Sequence, residues 1–197
     1  MMISNIRRVL FFVACLCLFP YMANAENLRI MNQTIVLDSP NKRIQVRILA
    51  SDNSLSYQVS FDDQAVVTKS VLGIELESGL FEGAELIDVE RSSSNESWQP
   101  LWGQFSTINN IYHGVRLNLV DKNKKNKQLA INFRLYDQGL AIQYEINLNS
   151  TDADALIADK TQFNFAHSYG VNSYGGEKAP VTSKNIVAGK KLKIPVR

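Results

Sequence analysis

Cysteine is almost absent from this chain, and that scarcity excludes several kinds of chemistry. The only two cysteines, Cys15 and Cys17, fall within residues 1–25, which have the composition of an export signal. Residues 26–197 therefore contain no disulfide framework, no thiol nucleophile and no thiolate zinc site. A protein of the bacterial envelope is compatible with such a composition.

Residues 1–25 have the three parts of a secretory leader. Two arginines precede a continuous apolar run over residues 9–19, and Ala23 and Ala25 supply the small side chains that signal peptidase requires. We expect cleavage before Glu26 and an exported protein, located in the periplasm or cell envelope of a Gram-negative bacterium. No later stretch approaches the roughly 20 apolar residues of a spanning helix, so we predict no membrane span in the mature chain.

The mature chain also has no excess of charge of either sign. The leader holds two of the 21 basic residues and none of the 19 acidic ones, so the mature chain has 19 of each sign. A formally neutral chain offers no broad basic field for nucleic acid. The lysine-rich run over residues 122–127 is therefore interpreted as a solvated hairpin tip, and no nucleic-acid partner is predicted.

Histidine and the common catalytic signatures are scarce. His113 and His167 are the only histidines, and neither has another histidine at metal-ligand spacing, so we expect structural or surface roles for both. No Gly-x-Ser-x-Gly elbow of a serine nucleophile occurs. No Gly-rich phosphate loop occurs either, which excludes nucleotide chemistry. Asp152 and Asp154 lack the glycine and the closing glutamate of a calcium loop. We assign no catalytic residue and no metal ligand.

Alternation of apolar and polar residues is what the sequence has instead. It predicts a hairpin over residues 43–61 with a turn at Asp52-Asn53, and further strands over residues 115–119, 129–135 and 140–148. Turn-forming residues flank these strands at Ser39-Pro40-Asn41, Asp62-Asp63-Gln64 and Asp137-Gln138-Gly139. The serine-rich patch over residues 92–97 is predicted to be a surface loop.

Helical periodicity is not found in any window of the mature chain. The alternation of strands and helices that builds a parallel sheet is therefore missing. The length of residues 26–197 suits one domain with a substantial core. We predict an all-β fold, an antiparallel β-sandwich.

Two tryptophans in the segment Ser97-Trp98-Gln99-Pro100-Leu101-Trp102-Gly103 are the most distinctive aromatics. Separated by four residues, Trp98 and Trp102 would share one face of a strand, and paired indoles can form a stacking platform for a sugar ring. Packing in the core is the favoured interpretation, because large aromatic side chains usually serve packing. As the alternative, Trp98, Trp102 and Tyr112 are candidate carbohydrate contacts.

The same segment, followed by Tyr112 and His113, resembles the Trp-x-Pro-x-x-Gly and downstream Tyr pattern of the N-terminal domain of glycoside hydrolase family 97. Four further motifs occur in the family's order: Ser39-Pro40-Asn41, Ser70-Val71-Leu72-Gly73-Ile74-Glu75-Leu76, Phe133-Arg134-Leu135-Tyr136-Asp137-Gln138-Gly139-Leu140-Ala141 and Thr161-Gln162-Phe163-Asn164-Phe165. The resemblance covers most of residues 28–170, and its ordered motifs make it specific.

The resemblance implies similarity to the N-terminal domain of exported bacterial α-glucosidases and α-galactosidases. In these enzymes a β-super-sandwich, of the galactose-mutarotase-like kind, packs on a catalytic β/α barrel that supplies the catalytic carboxylates. A calcium ion lies beside the substrate, and the N-terminal domain lends it a glutamate. The implied partners are the barrel and α-linked glycans.

The sequence departs from the family pattern in two ways. It stops after Arg197, before a barrel could begin, so we expect a truncated reading frame, which leaves open whether the sandwich is complete at its C-terminus. Glu177, the only glutamate after Thr161, lies in a Gly-Gly-Glu-Lys context that does not match the calcium-ligating segment. We expect no cofactor in this chain, calcium belonging to the full-length enzyme, and no hydrolytic activity of the chain alone.

Three hypotheses for the function follow. The leading one is a non-catalytic N-terminal sandwich domain of a family 97-like α-glycosidase of carbohydrate metabolism, without its barrel. The second, from a different class, is a stand-alone exported carbohydrate-binding module that an exposed tryptophan pair would favour. The third is a non-functional remnant whose unpaired strand edges and bared apolar surface cause aggregation.

Overall fold

A computed structural model gives the structure of the chain. It describes residues 33–51, 54–77, 79–80, 84–121, 128–147, 155–173 and 182–186. All regular structure in these ranges is β-strand, as the alternation predicted. Within them, no helix is long and apolar enough to cross a membrane.

Several predicted features lie outside the described residues. They are the export leader, the turn at Asp52-Asn53, the lysine-rich run over residues 122–127, the acidic residues Asp152 and Asp154, Glu177 and the end of the chain.

Two four-stranded antiparallel sheets contain most of the described strands, numbered here in chain order. The first sheet has the order β1, β2, β3, β4, formed by Gln33–Asp38, Ile44–Ser51, Ser54–Phe61 and Gln64–Leu72. The second sheet has the order β10, β9, β8, β7, formed by Gly139–Asn147, Gln128–Tyr136, Ile108–Asp121 and Ala84–Trp98.

Two smaller sheets accompany them. One has the order β11, β5, β6, formed by Leu156–Asp159, Ile74–Leu76 and Gly79–Leu80. The other pairs β12 with β13, formed by Tyr169–Ser173 and Thr182–Ile186.

Period-two alternation places one face of each large sheet in a shared core. Val46 and Ile48 of β2 and Leu117 of β8 are fully buried. The residues next to each of them along these two strands are exposed or half-buried. Tyr57 of β3 and Phe133 of β9 contribute the largest buried side chains, and all belong to one apolar cluster. Facing apolar surfaces of two sheets make a sandwich, so the predicted antiparallel β-sandwich is confirmed.

The described turns lie where turn-forming residues predicted them. Asp62 and Asp63, between β3 and β4, have φ angles of 47° and 63°, as a two-residue type I′ hairpin requires. Between β1 and β2, Lys42 has φ 61°. The Ser39 hydroxyl, buried in this turn, accepts a hydrogen bond from the Ile44 amide at 3.0 Å.

Gly73 divides the motif over residues 70–76. Residues 70–72 are the end of β4, and residues 74–76 form β5. Residues 160–166 run beside it in extended form, and the Gln162 amide donates to the Val71 carbonyl oxygen at 2.9 Å. The pairing of β4 with β3 contains two register shifts, and a bulged strand presents an uneven edge to its next neighbour. This accounts for hydrogen bonds along residues 160–166 without a regular strand.

The loop predicted over residues 92–97 is wrong, because these residues form the outer half of β7. They pair with β8 in continuous antiparallel register, from Ser92 opposite Gly114 to Ser97 opposite Asn109. Serine and asparagine favour turns locally, but hydrogen bonds to a long neighbouring strand override that preference. β7 is an edge of the second sheet, where polar side chains remain in water.

We expect Leu117→Ala to lower the free energy of unfolding by about 2 to 5 kcal/mol, because truncating a buried leucine leaves a cavity between the sheets. Leu101→Ala is the matched control, since Leu101 is almost entirely exposed and surface changes usually stay within about 0.5 kcal/mol. Urea unfolding followed by circular dichroism measures both. Equal losses in the two variants would contradict the burial of Leu117.

Candidate functional site

The hairpin of β7 and β8 extends past its neighbour β9. The two strands have 15 and 14 residues, whereas β9 has nine and pairs with β8 only from His113 to Val120. The strand residues 94–98 and 108–112, with the connecting residues 99–107, form the projecting part, which we call the overhang. Its side chains lack the cover that a complete sandwich provides.

Two polar side chains at the root of the overhang fasten it to the first sheet. His113 Nδ1 lies 2.7 Å from the Asp38 carbonyl oxygen. Arg91 Nη2 donates to the Val36 carbonyl oxygen at 3.1 Å. Both acceptors belong to β1, so His113 takes part in joining the sheets, in agreement with the structural role predicted for it.

The loop at the end of the overhang exposes large apolar side chains. Leu101 is 99% exposed, Trp102 88%, Phe105 69% and Trp98 47%. Gly103 has φ 134°, a backbone region that favours glycine. Apolar groups gathered on one projecting loop mark an interaction surface.

The core-packing interpretation of Trp98 and Trp102 is therefore wrong. Trp98 is the last residue of β7, and Trp102 lies in the loop beyond it, so the two indoles do not share a strand face. Both are exposed, so neither indole is packed between the sheets. Both indoles are accessible, as the carbohydrate-contact alternative requires.

Trp98 and Tyr112 lie on the same face of the hairpin. Trp98 pairs with Ile108, and Ser94 pairs with Tyr112, with no register shift between them. Side chains alternate between the faces of a strand, and Val115 points into the core, so Tyr112 and Trp98 face outward. Four strand residues separate their rows, about 13 Å along the strand, so the two rings are too far apart to touch.

Tyr112 belongs to a cluster with a cation and a second tyrosine. The Arg134 guanidinium carbon lies 5.0 Å from the centre of the Tyr112 ring, within the range of a cation–π interaction. The Tyr136 ring centre is 5.4 Å from that of Tyr112. The Tyr136 hydroxyl donates to Asn110 Oδ1 at 3.2 Å, and Asn110 Nδ2 donates to Ser94 Oγ at 3.4 Å.

Sequence reasoning missed Arg134 and Tyr136 as candidate site residues. The signal was present in the run Phe133-Arg134-Leu135-Tyr136, whose apolar members Phe133 and Leu135 are fully buried. Alternation then places Arg134 and Tyr136 on the outward face. What the sequence could not indicate is that Tyr112, on another strand, lies next to them.

Gly114 allows neighbouring side chains to pack over the sheet beside this cluster. It pairs with Ser92 on one side and with Arg134 on the other, and Ala141 pairs with Arg134 beyond. A Cβ at position 114 would collide with Ser92 Oγ and would lie 3.3 Å from Tyr112 Cε2. Ser92 Oγ and the Tyr112 ring therefore occupy the space over Gly114, which is buried.

Charged side chains pair with one another on the same face of the sheet, further from the overhang. Arg116 Nη1 donates to Glu145 Oε2 at 2.7 Å, and Asn132 Nδ2 donates to Glu145 Oε1 at 2.7 Å. The hydrogen bond from the Arg116 guanidinium holds the pKa of the Glu145 carboxyl below its usual value. The pair is partly exposed, with 31% of the Arg116 side chain and 40% of the Glu145 side chain accessible, so solvent screens it and it adds little stability.

The described side chains on the outward face of the hairpin are of kinds that bind ligands or partners. In the described ranges no three histidine, cysteine, aspartate or glutamate side chains come together as metal ligands. His167 is exposed, and its ring centre lies 6.4 Å from that of Tyr169. The outward face of the hairpin instead provides exposed indoles, hydroxyl and amide groups, and one stacked guanidinium.

Trp98 and Trp102 are the only two tryptophans, so intrinsic fluorescence reports on the overhang alone. We expect an emission maximum close to that of tryptophan in water and efficient quenching by acrylamide, because both indoles are exposed. Trp102→Phe should remove the more strongly quenched component and leave the half-exposed Trp98. Blue-shifted emission that resists acrylamide would contradict this placement.

Comparison with known proteins relates the chain to a family. The family described as Glycosyl-hydrolase 97 N-terminal matches residues 37–192. Two solved structures of a glycoside hydrolase family 97 enzyme from Pseudoalteromonas sp. strain K8, a variant in complex with panose and the enzyme in complex with acarbose, are each 19% identical, with a TM-score of 0.67. A beta-arabinopyranosidase structure is 18% identical, with a TM-score of 0.64.

The matched region is a small part of these enzymes. The Pseudoalteromonas matches cover 76% of this chain and 24% of the enzyme chain, and the beta-arabinopyranosidase match covers 71% and 23%. The chain thus spans about a quarter of the length of the solved structures that it resembles. At these identities the likeness shows the sandwich fold, and the family match extends over most of the chain. The chain belongs to the N-terminal domain family of glycoside hydrolase family 97.

Proposed function

We propose that the chain is the non-catalytic N-terminal sandwich domain of an exported α-glycosidase of carbohydrate metabolism. The observation that carries this proposal is the apolar end of the overhang, where Leu101, Trp102 and Phe105 are all more than two-thirds exposed. A free domain rarely presents so much apolar surface on one loop. Tryptophan and other aromatic side chains are typical of the centres of protein interfaces.

The partner that we propose for this surface is the catalytic β/α barrel of the same enzyme. The length of the matched enzymes supports it, since about three-quarters of each lies outside the matched region. For the substrate we propose an α-glycoside, because the Pseudoalteromonas enzyme was solved with panose and with acarbose. Export to the periplasm or envelope is also proposed, on the composition of residues 1–25.

We assign the calcium ion of such an enzyme mainly to the barrel, as the resemblance to the family implies. The proposal therefore gives this chain the task of packing against the barrel, and assigns it no step of the hydrolysis.

Reading the genomic DNA that follows the codon for Arg197 tests the proposal first. We expect a frame encoding a β/α barrel, and we expect that barrel to co-purify with this chain when the two are co-expressed. Trp102→Ser combined with Leu101→Ser should reduce the amount recovered at least tenfold, because it removes the apolar contact. Ile157→Ser is the control, since Ile157 is an exposed apolar residue of β11, away from the overhang.

Three results would contradict the proposal. One is the lack of any barrel-encoding frame, and another is equal co-purification of the overhang variant and the control. The third is release of the aryl group from an aryl α-glucoside or α-galactoside by this chain alone, because the catalytic carboxylates are assigned to the barrel.

A stand-alone carbohydrate-binding module is the second candidate function. The specific observation in its favour is that Trp98 and Trp102 are exposed, while Tyr112 shares the outward face with Trp98. Exposed aromatic faces can stack on sugar rings. The hydroxyl group of Ser94 is opposite Tyr112, and the amide group of Asn110 lies in the row between Tyr112 and Trp98.

Maltooligosaccharides test this second candidate through tryptophan fluorescence. We expect a blue shift and protection from acrylamide on binding, since a stacked sugar removes water from the indole. Trp98→Ala should abolish the response, and Phe61→Ala, which removes an exposed ring from the first sheet, should leave it unchanged. No response to any of a panel of α-glucans would rule out stacking of α-glucans on the tryptophans.

A further inference from the structure

The outer face of the first sheet contains a depression that the proposed function does not use. Its volume is about 320 Å³, at the lower end of the roughly 300–1,000 Å³ typical of small-molecule sites. Residues of β2, β3 and β4 line it, and Asp63, in the turn between β3 and β4, lies at one end. The overhang belongs to the other sheet, so the depression is separate from the apolar loop.

The depression coincides with the two register shifts between β3 and β4. Three steps along β3, from Tyr57 to Ser60, are paired with five steps along β4, from Ser70 to Ala65. A bulged strand bends, and its extra residues lie outside the regular ladder. At the end of the bulged stretch, Ser60 and Ala65 are directly opposite each other, and both line the depression. Their small side chains leave the space that the cavity occupies.

Longer polar side chains of β2 and β3 surround these small residues. Gln45 lies opposite Ser60 on β2, and in the next outward-facing row Arg47 lies opposite Gln58. Gln45 Nε2 donates to Asp38 Oδ1 at 2.9 Å, and Gln45 Oε1 accepts from Arg47 Nε at 2.9 Å. These two hydrogen bonds hold the Gln45 amide in place, so less side-chain freedom is lost when a ligand binds.

The β4 side of the depression is also held by hydrogen bonds. The Thr68 amide and the Thr68 hydroxyl both donate to the Asn164 carbonyl oxygen, at 2.8 and 3.0 Å. The Thr68 hydroxyl oxygen keeps its lone pairs as acceptors. Residues 164–166 therefore fix this wall, because they run beside the bulged part of β4.

The lining groups indicate the class of ligand. Among the described lining residues, Arg47 and Asp63 carry opposite charges that balance, which favours an uncharged ligand. Amide and hydroxyl side chains supply both donors and acceptors of hydrogen bonds: Gln45, Gln58, Ser60 and Thr68. The hydroxyls of a sugar also donate and accept, so they match these groups.

We propose that the depression binds a neutral saccharide. A sugar ring lies over Ser60 and Ala65. Its hydroxyls bond to the side chains around them, those of Gln45, Gln58 and Thr68. Binding here needs neither the barrel nor the tryptophans of the overhang, so failure of the co-purification experiment would leave this proposal intact.

Amide NMR spectroscopy of the isotope-labelled whole chain, titrated with maltotriose, tests the proposal. We expect saturable shifts of the side-chain amide signals of Gln45 and Gln58, because these groups bond to the sugar. Trp98→Ala combined with Trp102→Ala should show the same shifts, since it removes the indoles of the overhang and no group of the depression.

Two variants test the lining of the depression. Gln58→Leu should weaken maltotriose binding roughly fivefold to tenfold, because one hydrogen bond to the sugar is lost. Gln143→Leu is the matched control, since Gln143 is an exposed glutamine of β10 in the second sheet. Ala65→Leu fills the depression at an exposed position. It should weaken binding at least as much and leave the circular dichroism spectrum unchanged.

Four results of the titrations would overturn the proposal. They are no shift of the glutamine side-chain amides, equal weakening by Gln58→Leu and Gln143→Leu, loss of binding in the tryptophan double variant, and equal shifts with glycerol at the same hydroxyl concentration. The last would show a general solvent effect without a site. Tighter binding of acetyl-diserine amide than of maltotriose would also overturn it, because it would show a peptide site.

Discussion

Antiparallel pairing of β7 with β8 runs without a register shift from Asp88 opposite Asn118 to Trp98 opposite Ile108. The inner part of the hairpin contributes Val115 and Leu117 to the core, and the outer part projects because β9 is shorter. One pair of strands therefore anchors the sandwich and carries the candidate site. The site has a fixed position because backbone hydrogen bonds continue unbroken from the core into the overhang.

Two chemically different surfaces follow from this arrangement. The end of the overhang presents apolar side chains that water solvates poorly, which favours burial against another protein. Nearer the core, alternation places hydroxyl and amide groups beside the Tyr112–Arg134 pair, and Ser92 Oγ and the Tyr112 ring occupy the space over Gly114. The tip of the hairpin and the part nearer the core therefore expose groups of different chemistry.

Much of the fold could be predicted because burial of one face per strand imposes period two on the sequence. The strands around Ile48, Leu117 and Ile131 follow that rule, and the turns at Asp62 and Asp137 follow from residues that tolerate turn dihedrals. The exception was the patch over residues 92–97. Neither face of this segment is packed in the core, so no alternation of apolar and polar residues indicated a strand, and its serines indicated a loop.

For this protein, the sequence alone determined the all-β class, the alternation of the main strands and the motifs of the family, since each depends on residues close together in the chain. The tertiary structure decided the exposure of Trp98 and Trp102, because Trp98 lies on the outward face of the hairpin and Trp102 lies in the loop beyond β7. It also decided that Tyr112 and Arg134 meet, since they lie on different strands and only the register of β8 with β9 brings them together.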